Sequence, residues 1–205
     1  VVLTHFHADH VDGLAGVLGG HEVATVLTSN AADPADTAGV VGRMAMAEGA
    51  DLTVAQQGEV TRVGDLTWQV LGPPERPPGP GEQGSAANNA SVVLLVEVAG
   101  VRILLTGDVE PEAQAAVARA APGLRVDVLK VPHHGSRYQD VDWLLSLDPA
   151  IALVSVGEGN DYGHPARGVV DALGSGGADV QRTDTSGDLA VAVDDDGHLR
   201  LRSRG

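Results

Sequence analysis

Two apolar runs, residues 91–98 and 101–106, are separated by nothing but Ala99 and Gly100. β-Branched runs joined by so short a Gly-containing turn form a β-hairpin, and runs apolar at nearly every position predict strands buried on both faces. A sheet covered on both sides needs further layers. The rest of the chain offers them, because short Val- and Leu-rich runs alternate with Ala-rich helical patterns, the signature of layered α/β architecture. Strands are predicted at 1–3, 23–28, 52–55, 59–63 and 66–71, the last three as a meander, then at 126–131, 151–156, around Val180, at 189–193 and at 198–202. Helices are predicted at 10–18, 35–48, 111–120, 141–147 and 166–173, with Pro34 opening the second and Gly49 closing it. Residues 72–89, GPPERPPGPGEQGSAANN, predict a mobile surface loop rather than a linker.

With 205 residues, 43% of them hydrophobic, the chain can bury one core, so a single domain over 1–205 is expected. Aromatic residues are 2%, which leaves Val, Leu and Ala to build that core. A net charge of -15 excludes a broad basic surface for nucleic acid, since such affinity comes from Lys and Arg neutralising phosphates. Nucleic-acid chemistry would need metal ions or a partner domain to offset that charge. No cysteine is present, which rules out disulfides and thiolate metal sites. No apolar run approaches the roughly 20 residues that span a bilayer, so the chain is expected to be soluble by itself. It starts without methionine inside an apparent strand, and is expected to be a fragment of something longer.

Six of eight histidines fall in three clusters, each after an apolar strand: His5, His7 and His10; His133 and His134; and His164. In an extended segment residues two apart share a side, so in THFHADH His5 and His7 can grip one ion while Asp9 and His10 turn toward a second. The bland alternative is surface histidines at a helix start, with Asp9 as its N-cap. In LLTGD, Asp108 follows a buried strand and a Gly turn, where its two oxygens can bridge two cations or, equally, cap the next helix. In LKVPHHGSRY, adjacent histidines point apart, so one can ligate metal while the other binds a substrate oxygen or donates a proton. Ser136 and the amides after Gly135 can cradle an anion. Lys130, the only lysine, reads as a paired or snorkelling residue at the core edge. His164 in YGHP can reach the same site or serve its turn. RTDTSGD, residues 182–188, reads as a hairpin turn, with Arg182 or Asp184 bordering the pocket at most. His21 and His198 read as structural or solvent-facing, and DDDG, residues 194–197, as a hairpin turn.

In this order, THFHADH, TGD, HHGS and YGHP resemble the metallo-β-lactamase superfamily over almost the whole chain. More narrowly, NNASVVLLVEVAGVRILLTGDVEPEAQ, DVLKVPHHGSRY, SVGEGNDYGHP and RTDTSGDLAV are similar to the carboxy-terminal domain of ComEC-type competence proteins, the inner-membrane DNA uptake channels. The resemblance implies an αββα sandwich with metals held by loops at one edge, here lacking its first strands. It implies that His5, His7, Asp9, His10, Asp108 and His133 hold two divalent ions, Zn2+ or Mn2+, with Asp108 bridging. It also implies that Asp9, His134 and His164 act in catalysis and that Asn89, Ser136 and His164 meet substrate. Which of His133 and His134 is the ligand stays open. The superfamily usually has one more histidine before the TGD; His21 sits too early to match it, so Asn89 or water would complete the His5 and His7 side. The implied function is a phosphodiesterase that degrades the non-imported, single-stranded DNA at the extracytoplasmic face of the membrane. Its partners would be DNA and the membrane channel domains of the same longer protein. The residues also allow hydrolysis of a small ester, thioester, lactam or surface phosphoester, or a structural module with little turnover.

Overall fold

In chain order, the computed structural model, which describes residues 1–82, 84–194 and 196–204, runs as follows. Helices α1 (Ala8–Val11) and α2 (Leu14–Gly20) lead into β1 (Thr25–Thr28), α3 (Ala35–Ala47) and β2 (Asp51–Val54). Strands β3 (Val60–Val63) and β4 (Leu66–Gly72), the short helix α4 (Ala86–Asn89), and the hairpin β5 (Val93–Val98) and β6 (Val101–Leu105) come next. Then follow α5 (Pro111–Ala120), β7 (Val128–Lys130), α6 (Val141–Ser146), β8 (Ile151–Val154), α7 (Arg167–Ser175) and β9 (Asp179–Arg182). The chain ends with α8 (Thr183–Ser186), β10 (Asp188–Val193) and β11 (Leu199–Arg204).

The predicted hairpin lies inside a seven-stranded sheet of order β3-β4-β5-β6-β7-β8-β9. Its turn has Ala99 and Gly100 both at positive φ, 52° and 77°, the backbone that matches the twist of the strands it joins. From β3 to β6 the strands are antiparallel; from β6 to β9 they are parallel, because helices α5, α6 and α7 carry the chain back across one face. Those helices bury Ala113, Val117, Trp143, Leu144, Val169 and Leu173 against Leu104, Leu129, Ala152 and Val154. On the opposite face the β10–β11 hairpin packs Val191, Leu199 and Leu201 on Val101, Val128 and Ile151. Beside it Leu27 of the parallel β1–β2 pair joins Val70, Val92 and Leu94. Outside that pair, α2 and α3 cover Leu3, Phe6 and Val26 with Leu14, Leu18, Val41 and Ala45. The result is the expected αββα layering.

Several local expectations are corrected. β2 is not part of a meander: α3 crosses over from β1, so β2 pairs parallel to β1. The hairpin strands are only partly buried, with Glu97 and Leu105 exposed. The helix predicted at 10–18 is two short ones, broken at Asp12 and Gly13. The strand predicted at 1–3 contributes one bridge, Val2 to Leu27. Within 72–89, of which Gln83 lies outside the described residues, the chain is not all surface loop: Ser85 caps α4 and Ala87, Asn88 and Asn89 are buried. RTDTSGD is no hairpin turn, since α8 carries the chain from β9 into a different sheet. DDDG does turn between β10 and β11, with Asp195 outside the described residues.

Candidate metal centre

The carboxyl ends of β6, β7 and β8 converge at one edge of the sheet, and the THFHADH loop is tied there by Val92 N–H donating to the Thr4 carbonyl at 2.8 Å. Two glycines make the convergence possible. A Cβ at Gly107, which has φ of +55°, would lie 2.7 Å from Ser91 Cβ and 3.0 Å from Thr4 Cβ. One at Gly135, with φ of +75°, would lie 2.6 Å from Pro165 Cβ, so only glycine lets the HHGS loop rest on the YGHP loop. The Ala166 N–H donates to the Gly135 carbonyl at 2.7 Å across that contact. His133 and His134 both take left-handed backbone, with φ of 48° and 52°, which costs about 1–2 kcal/mol each for an L-residue. Such strain collects where a side chain must be aimed.

Asp9, His10, Asp108 and His134 form one group whose ligand atoms lie within 4.8 Å of one another. Asp108 Oδ2 is 3.2 Å from both His10 Nε2 and His134 Nε2, and Asp9 Oδ2 is 3.1 Å from His134 Nε2. His134 Nδ1 donates to the Ser155 carbonyl at 2.7 Å, which leaves the Nε2 lone pair facing two carboxylates. A lone pair and two anionic oxygens at that separation require a cation between them, either a proton or a metal ion. Buried Asp108 Oδ1 has no hydrogen-bond partner. A free carboxylate oxygen beside imidazole nitrogens is a donor set suited to a divalent ion, and the residues fit one. Beside this group His5 Nε2 and His7 Nδ1 lie 3.1 Å apart, with His5 Nδ1 held by Thr4 and Ser91 hydroxyls at 3.0 and 3.3 Å. They too can share an ion.

Electrostatics agree with this arrangement. Burial pushes the Asp108 carboxyl up, but its contacts with His10 and His134 and the charge of Lys130 outweigh that and hold it well below the usual range. Burial, and then the neighbouring charge of His10, bring His5 down to about 3, so it is a neutral imidazole able to ligate. The contact with Asp108 raises His134. Burial lowers His133, Lys130 and His164. Lys130 Nζ sits 3.8 Å from Asp108 Oδ1 and donates to the Gly107 and Val131 carbonyls, the paired role expected of it.

A cavity of about 500 Å3 opens over the group, lined by His7, Ala8, Asp9, Asn88, Asp108, His133, His134, Tyr162 and His164. The structure therefore gathers His7, Asp9, Asp108, His133, His134 and His164 around one space, with the His5 and His10 rings 4.1 Å apart beside them. Of the adjacent pair, His134 enters the four-residue group; His133 lines the cavity instead, with Nε2 3.4 Å from Asn88 Nδ2. Asn89 is a correction. It is buried away from the cavity, its amide donating to the Gly79 carbonyl and Glu112 and accepting from Glu110 N–H, because neighbours on α4 point apart. Asn88 takes the place at the site, with its buried Oδ1 unpartnered. Ser136 is buried, accepts from Tyr138 N–H at 3.3 Å and lines a neighbouring cavity. Neither bland alternative holds: α1 is preceded by His7, which makes no side-chain cap, rather than by Asp9, and α5 is preceded by Glu110, not Asp108. Arg182 and Asp184 pair with each other at 2.5 Å, away from the cavity. His198 is exposed in the β10–β11 turn beside Asp194, and exposed His21 lines a larger cavity. That cavity, about 910 Å3 between β1–β2 and β3–β4, contains none of the gathered ligands.

ComE operon protein 3 of Bacillus subtilis (strain 168) is 32% identical over 192 residues, which cover 92% of this chain and 24% of that protein. The chain thus spans about a quarter of that curated relative. Among solved structures, CmlA, a diiron β-hydroxylase from Streptomyces venezuelae, aligns with a TM-score of 0.57 at 15% identity, covering 99% of this chain and 44% of that one. Zn(2+)-bound PqqB from Methylobacterium extorquens aligns with a TM-score of 0.54 at 13% identity, covering 89% and 70%. At such identities these two share the fold alone. The sequence pattern of the Metallo-beta-lactamase superfamily matches residues 1–157, the stretch that carries every ligand of the Asp9, His10, Asp108 and His134 group, and the chain belongs to that superfamily as a metal-dependent hydrolase.

Proposed function

We propose that the hydrolase is a phosphodiesterase acting on single-stranded DNA, working beside the membrane channel domains of one longer protein at the extracytoplasmic face of the cell membrane. The similarity to ComEC-type proteins supports the setting, and no helix among the described residues is long and apolar enough to cross a membrane. One observation supports the substrate class: eight of the nine residues that line the cavity carry a hydrogen-bonding or ionisable side-chain group, Ala8 being the exception. A phosphodiester needs hydrogen-bond donors and cations around it, which such a lining with bound ions can supply.

Two divalent ions, zinc or manganese, would be held by Asp9, His10, Asp108 and His134 and by His5 and His7; when bound they supply activated water at neutral pH and offset charge on the phosphate. The chain's own groups do the rest. The Ser155 carbonyl fixes the tautomer of His134, and the Thr4 and Ser91 hydroxyls hold the ring planes of His5 and His10, in each case through the second nitrogen. Asp9, the exposed carboxylate at the cavity mouth, orients the attacking water. His164 stands edge-on to His133, ring centroids 5.5 Å apart, and faces the same cavity, where its ring can hydrogen-bond the leaving oxygen. The unpaired Oδ1 of Asn88 and the ring of His133 position the substrate's polar groups.

The test is nucleotide release from single-stranded DNA with manganese or zinc, set beside hydrolysis of a generic aryl phosphodiester and an aryl ester. Faster turnover of DNA than of either small substrate supports the proposal. Turnover of the small substrates without DNA cleavage would replace it with the second reading, a small-substrate hydrolase, which the net charge of -15 favours.

A further inference from the structure

The chain has only five aromatic residues, two Trp, two Tyr and one Phe. Phe6 and Trp143 are buried in the core and Trp68 packs against it. Both tyrosines instead line one cavity of about 440 Å3, together with His133, Ser136, Arg137 and His164. This cavity shares His133, Tyr162 and His164 with the one over Asp108, so the two are continuous. Tyr162 is 81% exposed, the most solvent-open of the large hydrophobic side chains described. Its ring lies nearly parallel to that of His164, at 21° with centroids 6.0 Å apart, and His164 adjoins His133. The aromatic faces therefore step outward from the metal-ligating group.

Arg137 is the one arginine or lysine lining either cavity. The arginine ion pairs among the described residues are made by Arg102, Arg167, Arg182 and Arg200, so the Arg137 guanidinium is left unpaired in a chain of charge -15. A short turn fixes its place, with Ser136 N–H donating to the His133 carbonyl at 2.8 Å and Tyr138 N–H to Ser136 Oγ at 3.3 Å. An open aromatic face with an unpaired guanidinium beside it is the chemistry that grips a base and its phosphate.

Building on the nuclease reading, we infer that this second cavity is a nucleotide subsite, in which an unpaired base stacks on Tyr162 and Arg137 takes the phosphate next to the one being cleaved. A duplex hides its base faces in its own stack, so the subsite selects single strands of any sequence.

The test is equilibrium binding, by fluorescence anisotropy, of a labelled four-residue oligothymidylate with cleavage-resistant phosphorothioate linkages to the metal-loaded chain. Tyr162→Ala should weaken binding by about 5- to 100-fold, while Tyr162→Phe, which keeps the stacking face, stays within about twofold of wild type. Arg137→Ala should reduce the slope of log affinity against log salt by about 0.7. Equal binding by Tyr162→Ala and wild type would overturn the subsite, as would a wild type that prefers duplex. The two readings fail separately. Binding that depends on Tyr162 without strand cleavage supports the subsite and removes the nuclease; cleavage with Tyr162→Ala binding as wild type does the reverse.

Discussion

Asp108 gathers more of the site's electrostatics than any other residue, since His10, His134 and Lys130 all converge on it. If it helps to hold an ion, Asp108→Asn should lower the metal content of purified protein by about one equivalent, readable by elemental analysis, and cut turnover at least about 100-fold. His134→Ala should do likewise, whereas His133→Ala should leave the ion count unchanged and affect turnover only, because only His134 lies in the four-residue group. At this scale the motif histidines were legible, because residues two apart on an extended segment necessarily share a side. The choice between His133 and His134 was not. It depends on two successive left-handed residues, which nothing in a Pro-His-His-Gly string announces. The Asn88 and Asn89 pair was misread by one position for a related reason: a stretch expected to be loop has no helical phase, so no argument could say which amide faces the cavity.

Among the elements, the β5–β6 turn makes the most specific prediction. Its first residue, Ala99, is exposed at φ of 52°, where asparagine is better tolerated. Ala99→Asn should stabilise the protein by about 0.5–1 kcal/mol, seen as a higher midpoint in thermal or urea unfolding. The Arg182 and Asp184 pair at the β9–α8 junction bears on acid stability. Arg182 lowers the Asp184 pKa, so the pair's contribution is fully present above the unfolded value near 4 and is lost as pH falls through the folded one. The gap in midpoint between wild type and Asp184→Asn should therefore be small at pH 7, the pair being partly exposed, and should close in acid. Most strands and helices could be read from periodicity and punctuation. Pairing could not, as β2 shows: its apolar run looks like the next step of a meander, and only the α3 crossover sends it beside β1.

For the molecule as a whole, the four layers meet the requirement set by the apolar hairpin, and parallel strands β6 to β8 bring three distant loops to one edge. Leu104 is fully buried at the centre of the helix-side core, so Leu104→Ala should cost about 2–5 kcal/mol in unfolding free energy. Layering was legible from composition because so many runs are apolar on every position, while the gathering of ligands at one edge followed from each cluster's place after a strand. The Asp108 group at that edge also links metal to folding: ion at 100 times its dissociation constant should stabilise the chain by about 2.7 kcal/mol, a gain that chelation reverses. The most direct test of the account compares nucleotide release from single-stranded DNA by the manganese-loaded chain and by Asp108→Asn, with ion content measured on both. The account predicts steady release by the first, at least about 100-fold less by the second, and one ion fewer. Equal rates, or no release from a wild-type chain that carries its ions, would contradict it.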